Sequence, residues 1–323
     1  MTTNPTPTAP RTPAHSVTPA SQSSPADQAA GIPVSVWVTG QQVARTQREG
    51  RYLPDSVRHP GKMLPAIARH AIEAYTNPGE TVFDPMAGIG TTLIEAVHLG
   101  RDGVGTEYEP QWAHLTAANL RHAAAHGALG TGRVWHADAR YLPDELLEQY
   151  AGRVTLLLTS PPYGPSNHGQ VTTAGRLGHT GQVAKRDHRY SRDRHNLAHR
   201  PTRELLGGFE QILRAAVPLL APEATVVVTA RPWRRGGELV DLPTAVFDAA
   251  RAAGLTPVER CVALLARHDP GDEDGARLVA HGSFFQLKNI RDARAAGIPQ
   301  SLITHEDVCC FTWRPAPTGG GPR

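Results

Sequence analysis

An apolar segment that breaks into a glycine-containing loop constrains the fold of this chain more than any other feature. Residues 82–84 read Val-Phe-Asp, and the loop that follows contains Gly88 and Gly90 before an apolar stretch with helical spacing begins. Glycine adopts backbone conformations that other residues avoid, so it permits a sharp turn and a close approach to a ligand. The pattern predicts a strand, a tight turn and a helix over residues 92–99, with a pocket at the turn.

The predicted helix presents binding groups at its first turn. We expect Thr91 or Thr92 to cap its N-terminus and Gly100 to end it. Unpaired N–H groups at a helix N-terminus attract negative groups, here the carboxylate of an amino-acid-like cofactor. Asp84, at the end of the strand, is expected to attract a cationic or hydrogen-bonding group.

Two common nucleotide-binding loops do not fit these residues. A dinucleotide-binding loop requires a third glycine three residues after the second, and Leu93 occupies that position. A P-loop requires Gly-Lys followed by Ser or Thr, which does not follow here. Nicotinamide and P-loop nucleotide chemistry therefore both lose support.

Acidic residues end the next two predicted strands. Glu107 lies 17 positions after Gly90, where an acid accepts hydrogen bonds from the two hydroxyls of a bound ribose in nucleotide-binding folds. A helix over residues 110–125 separates it from a third strand, which we expect to end in Asp138. Together with Asp84, these acids predict a binding site at one edge of a parallel sheet.

A fourth predicted strand, residues 154–159, leads to Ser160, Pro161, Pro162 and Tyr163. The prolines fix the backbone and carry no N–H, so the carbonyls before and between them are rigid acceptors, to which Ser160 adds a side-chain acceptor. Tyr163 offers an aromatic face for stacking. This arrangement suits a planar group that carries an exocyclic amine.

Lys62 ends the sequence His-Pro-Gly-Lys at residues 59–62, just before a predicted helix over residues 66–75. It is interpreted either as a solvated surface charge or as a cation that faces the carboxylate of the cofactor. Its position shortly before the glycine loop is the basis of the second interpretation.

These motifs, in this order, resemble those of S-adenosylmethionine-dependent DNA amino-methyltransferases of the N4-cytosine/N6-adenine group. The shared motifs are His-Pro-Gly-Lys, Asp-Pro-x-x-Gly-x-Gly-Thr-Thr from Asp84, the acids Glu107 and Asp138, and Thr-Ser-Pro-Pro-Tyr ending at Tyr163. The resemblance extends over about residues 59–313. It implies an α/β fold of the Rossmann-like class I methyltransferase type, with a seven-stranded, mostly parallel sheet whose last strand is reversed. It also implies S-adenosylmethionine as the cofactor.

The resemblance assigns the site residues. Asp84 and the glycine loop are implied to contact the methionine moiety, Glu107 the ribose, and residues near Asp138 the adenine. The expected cofactor-binding residues are Lys62, Asp84, Pro85, Ala87, Gly88, Gly90, Thr91, Thr92, Glu107, Asp138, Ala139 and Ser160. The expected catalytic residues are Ser160, Pro161, Pro162 and Tyr163. Ser160 and the Pro161 carbonyl are expected to accept both amine hydrogens of a flipped base, and no metal or cysteine nucleophile is expected.

The expected function is site-specific methylation of an exocyclic amine of DNA, at cytosine N4 first and at adenine N6 next. Serine before the prolines favours cytosine, because similar enzymes more often place an acid or Asn there when adenine is the target. Methylation of an RNA base, of the guanine N2 type, is one alternative. A non-catalytic nucleic-acid-binding protein on the same fold is another. No large separate target-recognition domain is expected, and a restriction endonuclease partner stays open.

Composition divides the chain into a tail, a domain and a second tail. Residues 1–31 are rich in Thr, Pro, Ser and Ala and are expected to be disordered; a methyltransferase domain over 32–315 and a tail over 316–323 follow. Residues 164–201, here called the insert, carry seven basic and two acidic side chains, although the net charge of the whole chain is only +3. We expect the insert to be mobile and to grip DNA phosphates. Its expected nucleic-acid-binding residues are Lys185, Arg186, Arg189, Arg192 and Arg194.

The apolar runs and the first residues of the chain argue against a membrane protein and against a secreted protein. No apolar run approaches the roughly 20 residues that span a bilayer, and the first residues lack the pattern of a secretory signal. We therefore expect a cytoplasmic protein with no membrane partner. Cys261, Cys309 and Cys310 lie in apolar stretches and are expected to be buried, reduced thiols.

Overall fold

The computed structural model describes residues 32–162, 170–173, 183–186, 191, 193, 195–235, 238–271, 275–281 and 284–315. The chain divides into two units, Met1–Val34 and Ser35–Arg323, and every element below belongs to the second. The strands are β1 (Val36–Trp37), β2 (Thr81–Asp84), β3 (Asp102–Glu107), β4 (Gly132–His136), β5 (Val154–Thr159), β6 (Gln170–Thr173), β7 (Val183–Arg186), β8 (Leu220–Ala230), β9 (Trp233–Arg235), β10 (Glu238–Val240), β11 (Thr256–Leu264), β12 (Ala266–Asp269), β13 (Arg277–Ala280) and β14 (His305–Thr312). The α-helices are α1 (Ala44–Arg48), α2 (Pro65–Tyr75), α3 (Thr91–His98), α4 (Pro110–Ala125), α5 (Asp144–Tyr150), α6 (Thr202–Ala216), α7 (Leu242–Ala252) and α8 (Phe284–Ala295). Short 3₁₀ helices cover Pro54–Arg58, Leu197–His199 and Val217–Leu219.

An eight-stranded sheet lies at the centre of the second unit, in the order β1-β11-β14-β8-β5-β2-β3-β4. Its strands are parallel except β14, which is antiparallel to both of its neighbours. The reversed last strand was predicted, but the predicted count of seven was wrong. The extra strand is β1, which pairs with Val262 and Ala263 of β11 at the edge of the sheet. The remaining strands form three separate antiparallel pairs.

Helices cover both faces of the sheet. On one face, Phe83 and Leu157 pack in a core with Phe209 of α6 and Val246 of α7. On the other, the neighbouring strand residues Val82 and Leu158 join a core that includes side chains of α2. Successive strand residues point to opposite faces, so the apolar run Leu156, Leu157 and Leu158 of β5 is explained by its position inside the sheet.

Several boundaries differ from the sequence prediction. The third strand ends at His136, so Asp138 lies two residues beyond it, whereas Asp84 and Glu107 are the last residues of β2 and β3. The helix α5 and the pairs β9–β10 and β12–β13 were not predicted. The insert contributes the pair β6–β7 and the 3₁₀ helix Leu197–His199.

The structure bears on two expectations that were drawn from composition, namely the state of the cysteines and the lack of a membrane-spanning segment. All three cysteines are free and buried, as predicted. Within the described residues, no helix combines the length and the apolar character needed to cross a membrane.

Candidate active site

The glycine loop joins β2 to α3 through two left-handed residues. Gly88 has a φ of 58° and Gly90 a φ of 85°, in the region that glycine favours. A Cβ on Gly90 would lie 2.6 Å from Cγ2 of Thr116 in α4, and one on Gly88 would lie 3.2 Å from ring atoms of His59. The sequence predicted that a ligand requires these glycines, but the packing of the chain itself already requires them.

Neither threonine caps α3, so that prediction was wrong. The N-cap residue is Gly90, and no side chain makes a capping hydrogen bond there. The left-handed turn at Gly90 places Thr91 and Thr92 inside the helix. Thr92 Oγ1 instead donates to Oδ2 of Asp84 at 2.7 Å.

Asp84 connects β2, β5 and the loop. Its Oδ1 accepts hydrogen bonds from Thr159 Oγ1 at 2.7 Å and from the Met86 N–H at 3.0 Å, and its Oδ2 accepts the bond from Thr92. Burial raises the pKa of Asp84, and these three donors oppose that shift. The carboxylate therefore positions the glycine loop relative to Thr159, the residue before Ser160.

Glu107 ties the end of β3 to the same loop. Its Oε2 accepts a hydrogen bond from the Gly88 N–H and its Oε1 one from the Glu109 N–H, both at 2.8 Å. Burial raises the pKa of Glu107 to about 8, against the effect of the two N–H donors. An oxygen of the carboxyl group can accept more than one hydrogen bond, so Glu107 has further capacity for ribose hydroxyls.

Asp138 is held by a neighbour in sequence. Arg140 donates from Nε to Oδ1 at 3.0 Å and from Nη2 to Oδ2 at 2.6 Å. Burial acts to raise the pKa of Asp138, but the hydrogen bonds and charge of Arg140 lower it overall. The Asp138 carboxylate is thus an ionised hydrogen-bond acceptor at the place where the adenine is expected.

Lys62 is bonded to its own segment. Its Nζ donates to the carbonyl of His59 and to that of Val57, the latter at 3.3 Å. Burial, with a contribution from the charge of Arg48, lowers the pKa of Lys62 to about 8. Lys62 is therefore not the fully solvated surface charge of the simpler interpretation.

Two cavities meet at the carboxyl ends of β2 and β5. We name each cavity after one residue of its lining. The Glu107 cavity contains about 540 Å³ of empty space and the Lys62 cavity about 610 Å³, in both cases including space open to solvent. Predicted site residues on the Glu107 cavity are Pro85, Glu107, Asp138, Ala139, Ser160 and Pro162. Those on the Lys62 cavity are Lys62, Asp84, Ala87, Gly88, Thr91, Thr92, Ser160, Pro161 and Pro162.

The donors and acceptors of these cavities fit the two halves of S-adenosylmethionine. Glu107 and Asp138 supply acceptors for ribose hydroxyls and an adenine amine on one side. On the other side, the first turn of α3 brings Thr91 and Thr92 to the cavity wall. The first N–H groups of a helix have no acceptor within it, which suits a carboxylate. Among the described residues, no group of three or more His, Cys, Asp or Glu is placed to hold a metal.

Some predicted site residues lie outside the described part of the chain. They are Tyr163, Arg189, Arg192 and Arg194. Lys185 and Arg186 belong to β7, but their side chains are likewise outside it. Base stacking on Tyr163 and phosphate binding by the insert stay predictions.

The structure also brings unexpected residues to the Glu107 cavity. They are Met86, Tyr108, Arg140, His195, Asn196, Leu197 and Ile212. Met86 could have been inferred from its place in the glycine loop. His195, Asn196 and Leu197 carry no local signal, because their place on the cavity depends on folding against a loop far away in sequence.

Comparison with known proteins points to methyltransferases. Residues 11–118 match a family model described as DNA methylase. Over 109 residues the chain is 35% identical to the tRNA (guanine(10)-N2)-dimethyltransferase of Methanocaldococcus jannaschii, a match that covers 33% of this chain and 30% of that protein. Over 79 residues it is 34% identical to the DNA adenine methyltransferase YhdJ of Escherichia coli K12, covering 24% of this chain and 27% of that protein. These matches span less than a third of the length of either relative.

The chain also aligns with a solved structure. The crystal structure of TrmN from Thermus thermophilus aligns with 83% of this chain and 53% of that chain, at 17% identity and a TM-score of 0.45. The family match supports S-adenosylmethionine as the cofactor. It also supports the coarser part of the sequence prediction, an S-adenosylmethionine-dependent methyltransferase.

Proposed function

We propose that this protein transfers a methyl group from S-adenosylmethionine to an exocyclic amine of a nucleic-acid base, with DNA as the first candidate substrate. The observation that carries the proposal is the position of Ser160 and Pro162, which line both cavities. A group held there would lie beside the junction of the methionine and nucleoside halves of the cofactor, where the transferable methyl group is attached. The DNA methylase match over residues 11–118 favours DNA. Cytosine N4 is the first proposed target, because serine precedes the two prolines, and adenine N6 is the second.

The protein's main chemical task is to make an aromatic amine nucleophilic. When bound, S-adenosylmethionine supplies an electrophilic methyl group on a sulfonium sulfur. Ser160 Oγ and the Pro161 carbonyl accept hydrogen bonds from the amine, which concentrates its lone pair on nitrogen and fixes its direction. The bond from Thr159 to Asp84, at 2.7 Å, fixes these acceptors relative to the glycine loop.

The cofactor-binding roles follow the two cavities. Lys62, Asp84 and the glycine loop hold the methionine half, while Glu107 and Asp138 hold the nucleoside half. A target base must leave its stack to reach Ser160, which costs a few kcal/mol. The basic insert and Tyr163 are proposed to offset that cost.

Methylation of an RNA amine is the second candidate. The match to a tRNA guanine-N2 enzyme, 35% identical over 109 residues, favours it. The same acceptors suit the N2 amine of guanine. The two candidates differ in product, so identification of the modified nucleoside separates them.

The decisive experiment offers duplex DNA and unmodified tRNA to the full-length protein with isotopically labelled S-adenosylmethionine. Mass spectrometry of the digested nucleosides is expected to find label in N4-methylcytosine or N6-methyladenine. Label in N2-methylguanine would instead establish the RNA candidate. Cofactor binding without label in any base would indicate a non-catalytic binding protein.

Ser160→Ala should slow single-turnover methyl transfer about 10- to 100-fold, because one hydrogen bond to the reacting amine is lost. Affinity for S-adenosylhomocysteine should change much less. The matched control is Ser301→Ala at an exposed site away from the cavities. A transfer rate in Ser160→Ala equal to that of the control would rule out the acceptor role.

A further inference from the structure

We infer that Asn196 and Glu109 are positioning residues for the nucleoside half of the cofactor, an inference that rests on the proposed function. Together they hold residues 195–197, here called the outer wall, against the Glu107 cavity. None of these residues belongs to a motif that the sequence singled out for cofactor binding. The outer wall comes from the end of the insert, whereas Glu109 follows β3.

Asn196 uses both ends of its amide. Its Nδ2 donates to Oε1 of Glu109 at 2.8 Å, and its Oδ1 accepts from the Ala198 N–H at 2.9 Å. The first contact joins the insert to the β3–α4 loop, and the second caps the 3₁₀ helix Leu197–His199. Asn196 is only 7% exposed and Glu109 only 8%. A buried carboxylate that loses its partner is costly, so this contact strongly restricts where the outer wall lies.

A second contact holds the same two segments together. The Tyr108 hydroxyl donates to Oδ2 of Asp193, whose Oδ1 accepts from the His195 N–H at 2.8 Å. His199 Nε2 lies 2.7 Å from the Ser191 carbonyl oxygen. Residues on both sides of the outer wall are thus hydrogen-bonded.

Helix α6 supports the outer wall from behind. A Cβ on Gly208 would lie 2.4 Å from Cδ2 of Leu197, so the leucine packs directly on the helix backbone. The wall is therefore confined between α6 and the β3–α4 loop, with little room to withdraw from the cavity.

One loop controls both sides of the Glu107 cavity. The backbone N–H of Glu109 donates to Glu107 at 2.8 Å, while its side chain accepts from Asn196. The proposed ribose acceptor and the outer wall are therefore set by the same residue. Displacing the outer wall should lower the affinity for any ligand that carries the adenosine group.

The test is Asn196→Asp, which keeps the shape of the side chain and the acceptor for Ala198. It replaces the Nδ2 donor with a carboxylate oxygen that faces Glu109. The affinity for S-adenosylhomocysteine and for 5′-methylthioadenosine, measured by calorimetry, should fall about tenfold or more. Adding Glu109→Gln restores a donor opposite an acceptor and should bring both affinities to within about threefold of wild type.

Asn77→Asp is the matched control. Asn77 Nδ2 lies 3.4 Å from Oε1 of Glu80 at an exposed site, so this change also places two carboxylates together, but away from the cavity. It should leave both affinities unchanged. Unchanged affinities in the control would show that two facing carboxylates lower the affinity only beside the cavity.

The outcomes distinguish the inference from its premise. If wild-type protein does not bind S-adenosylhomocysteine, the proposed function falls and the inference falls with it. If wild type binds and Asn196→Asp binds equally well, only the inference is overturned. Should Asn196→Asp fail to fold, the double variant decides: near-native affinity supports the inference, and a tenfold loss overturns it.

Discussion

Gly90→Ala should destabilise the protein by about 2–5 kcal/mol in urea denaturation. Gly90 has a φ of 85°, where a side chain costs roughly 1–2 kcal/mol. Its new Cβ would lie 2.6 Å from Cγ2 of Thr116, and overpacking of this kind costs roughly 1–3 kcal/mol. The loop must then move away from α4, so affinity for S-adenosylhomocysteine should fall as well.

Two further variants separate the causes. Gly79 has the same φ of 85° but no atom within 4 Å of a Cβ, so Gly79→Ala should show the backbone cost alone. Thr116→Ser, combined with Gly90→Ala, removes Cγ2 and keeps the hydroxyl that donates to the Gly88 carbonyl at 2.7 Å. The double variant should recover the part of the lost stability that comes from overpacking against Thr116. A loss for Gly90→Ala no larger than that for Gly79→Ala would contradict the contact with Thr116.

Glu107→Gln should remove a strong pH dependence of stability. Burial raises the pKa of Glu107 in the folded protein from its ordinary value of 4.5 to about 8. Between those pH values the folded state holds a proton that the unfolded state releases. The stabilising contribution of Glu107 to the free energy of unfolding is therefore fully present below pH 4.5 and is lost as the pH rises through 8. The loss is on the order of 4–5 kcal/mol over this interval.

The measurement is the free energy of unfolding of both proteins at several pH values from 5 to 8. The difference between wild type and Glu107→Gln should fall steadily with rising pH, because other titrating groups contribute to both proteins. Glutamine cannot accept from both N–H donors, which adds an offset but no slope. Glu148→Gln, at an exposed position of α5, should follow wild type. Parallel curves for wild type and Glu107→Gln would show that the carboxyl stays ionised in the fold.

Local patterns in the sequence were sufficient for much of the scaffold. The predicted strand at 154–159 and helix at 110–125 coincide with β5 and α4. The apolar run at 156–158 indicates a strand buried on both faces, and Pro110 with helical spacing after it indicates a helix start. The positions of Asp84 and Glu107 at the carboxyl ends of β2 and β3 were predicted, because parallel strands place these ends at one edge of the sheet.

Tertiary structure alone decided which groups meet. The pairing of Val36 and Trp37 with β11 made an eighth strand, since a two-residue segment has no periodicity to reveal its partner. The need for glycine at position 90 comes from Thr116 on another helix. Glu109 and Asn196 are 87 positions apart, and the residues next to each in the sequence give no sign that the two are in contact. A sequence pattern reports the preferences of neighbouring residues along the chain, whereas these contacts exist only after the sheet, its helices and the end of the insert have packed together.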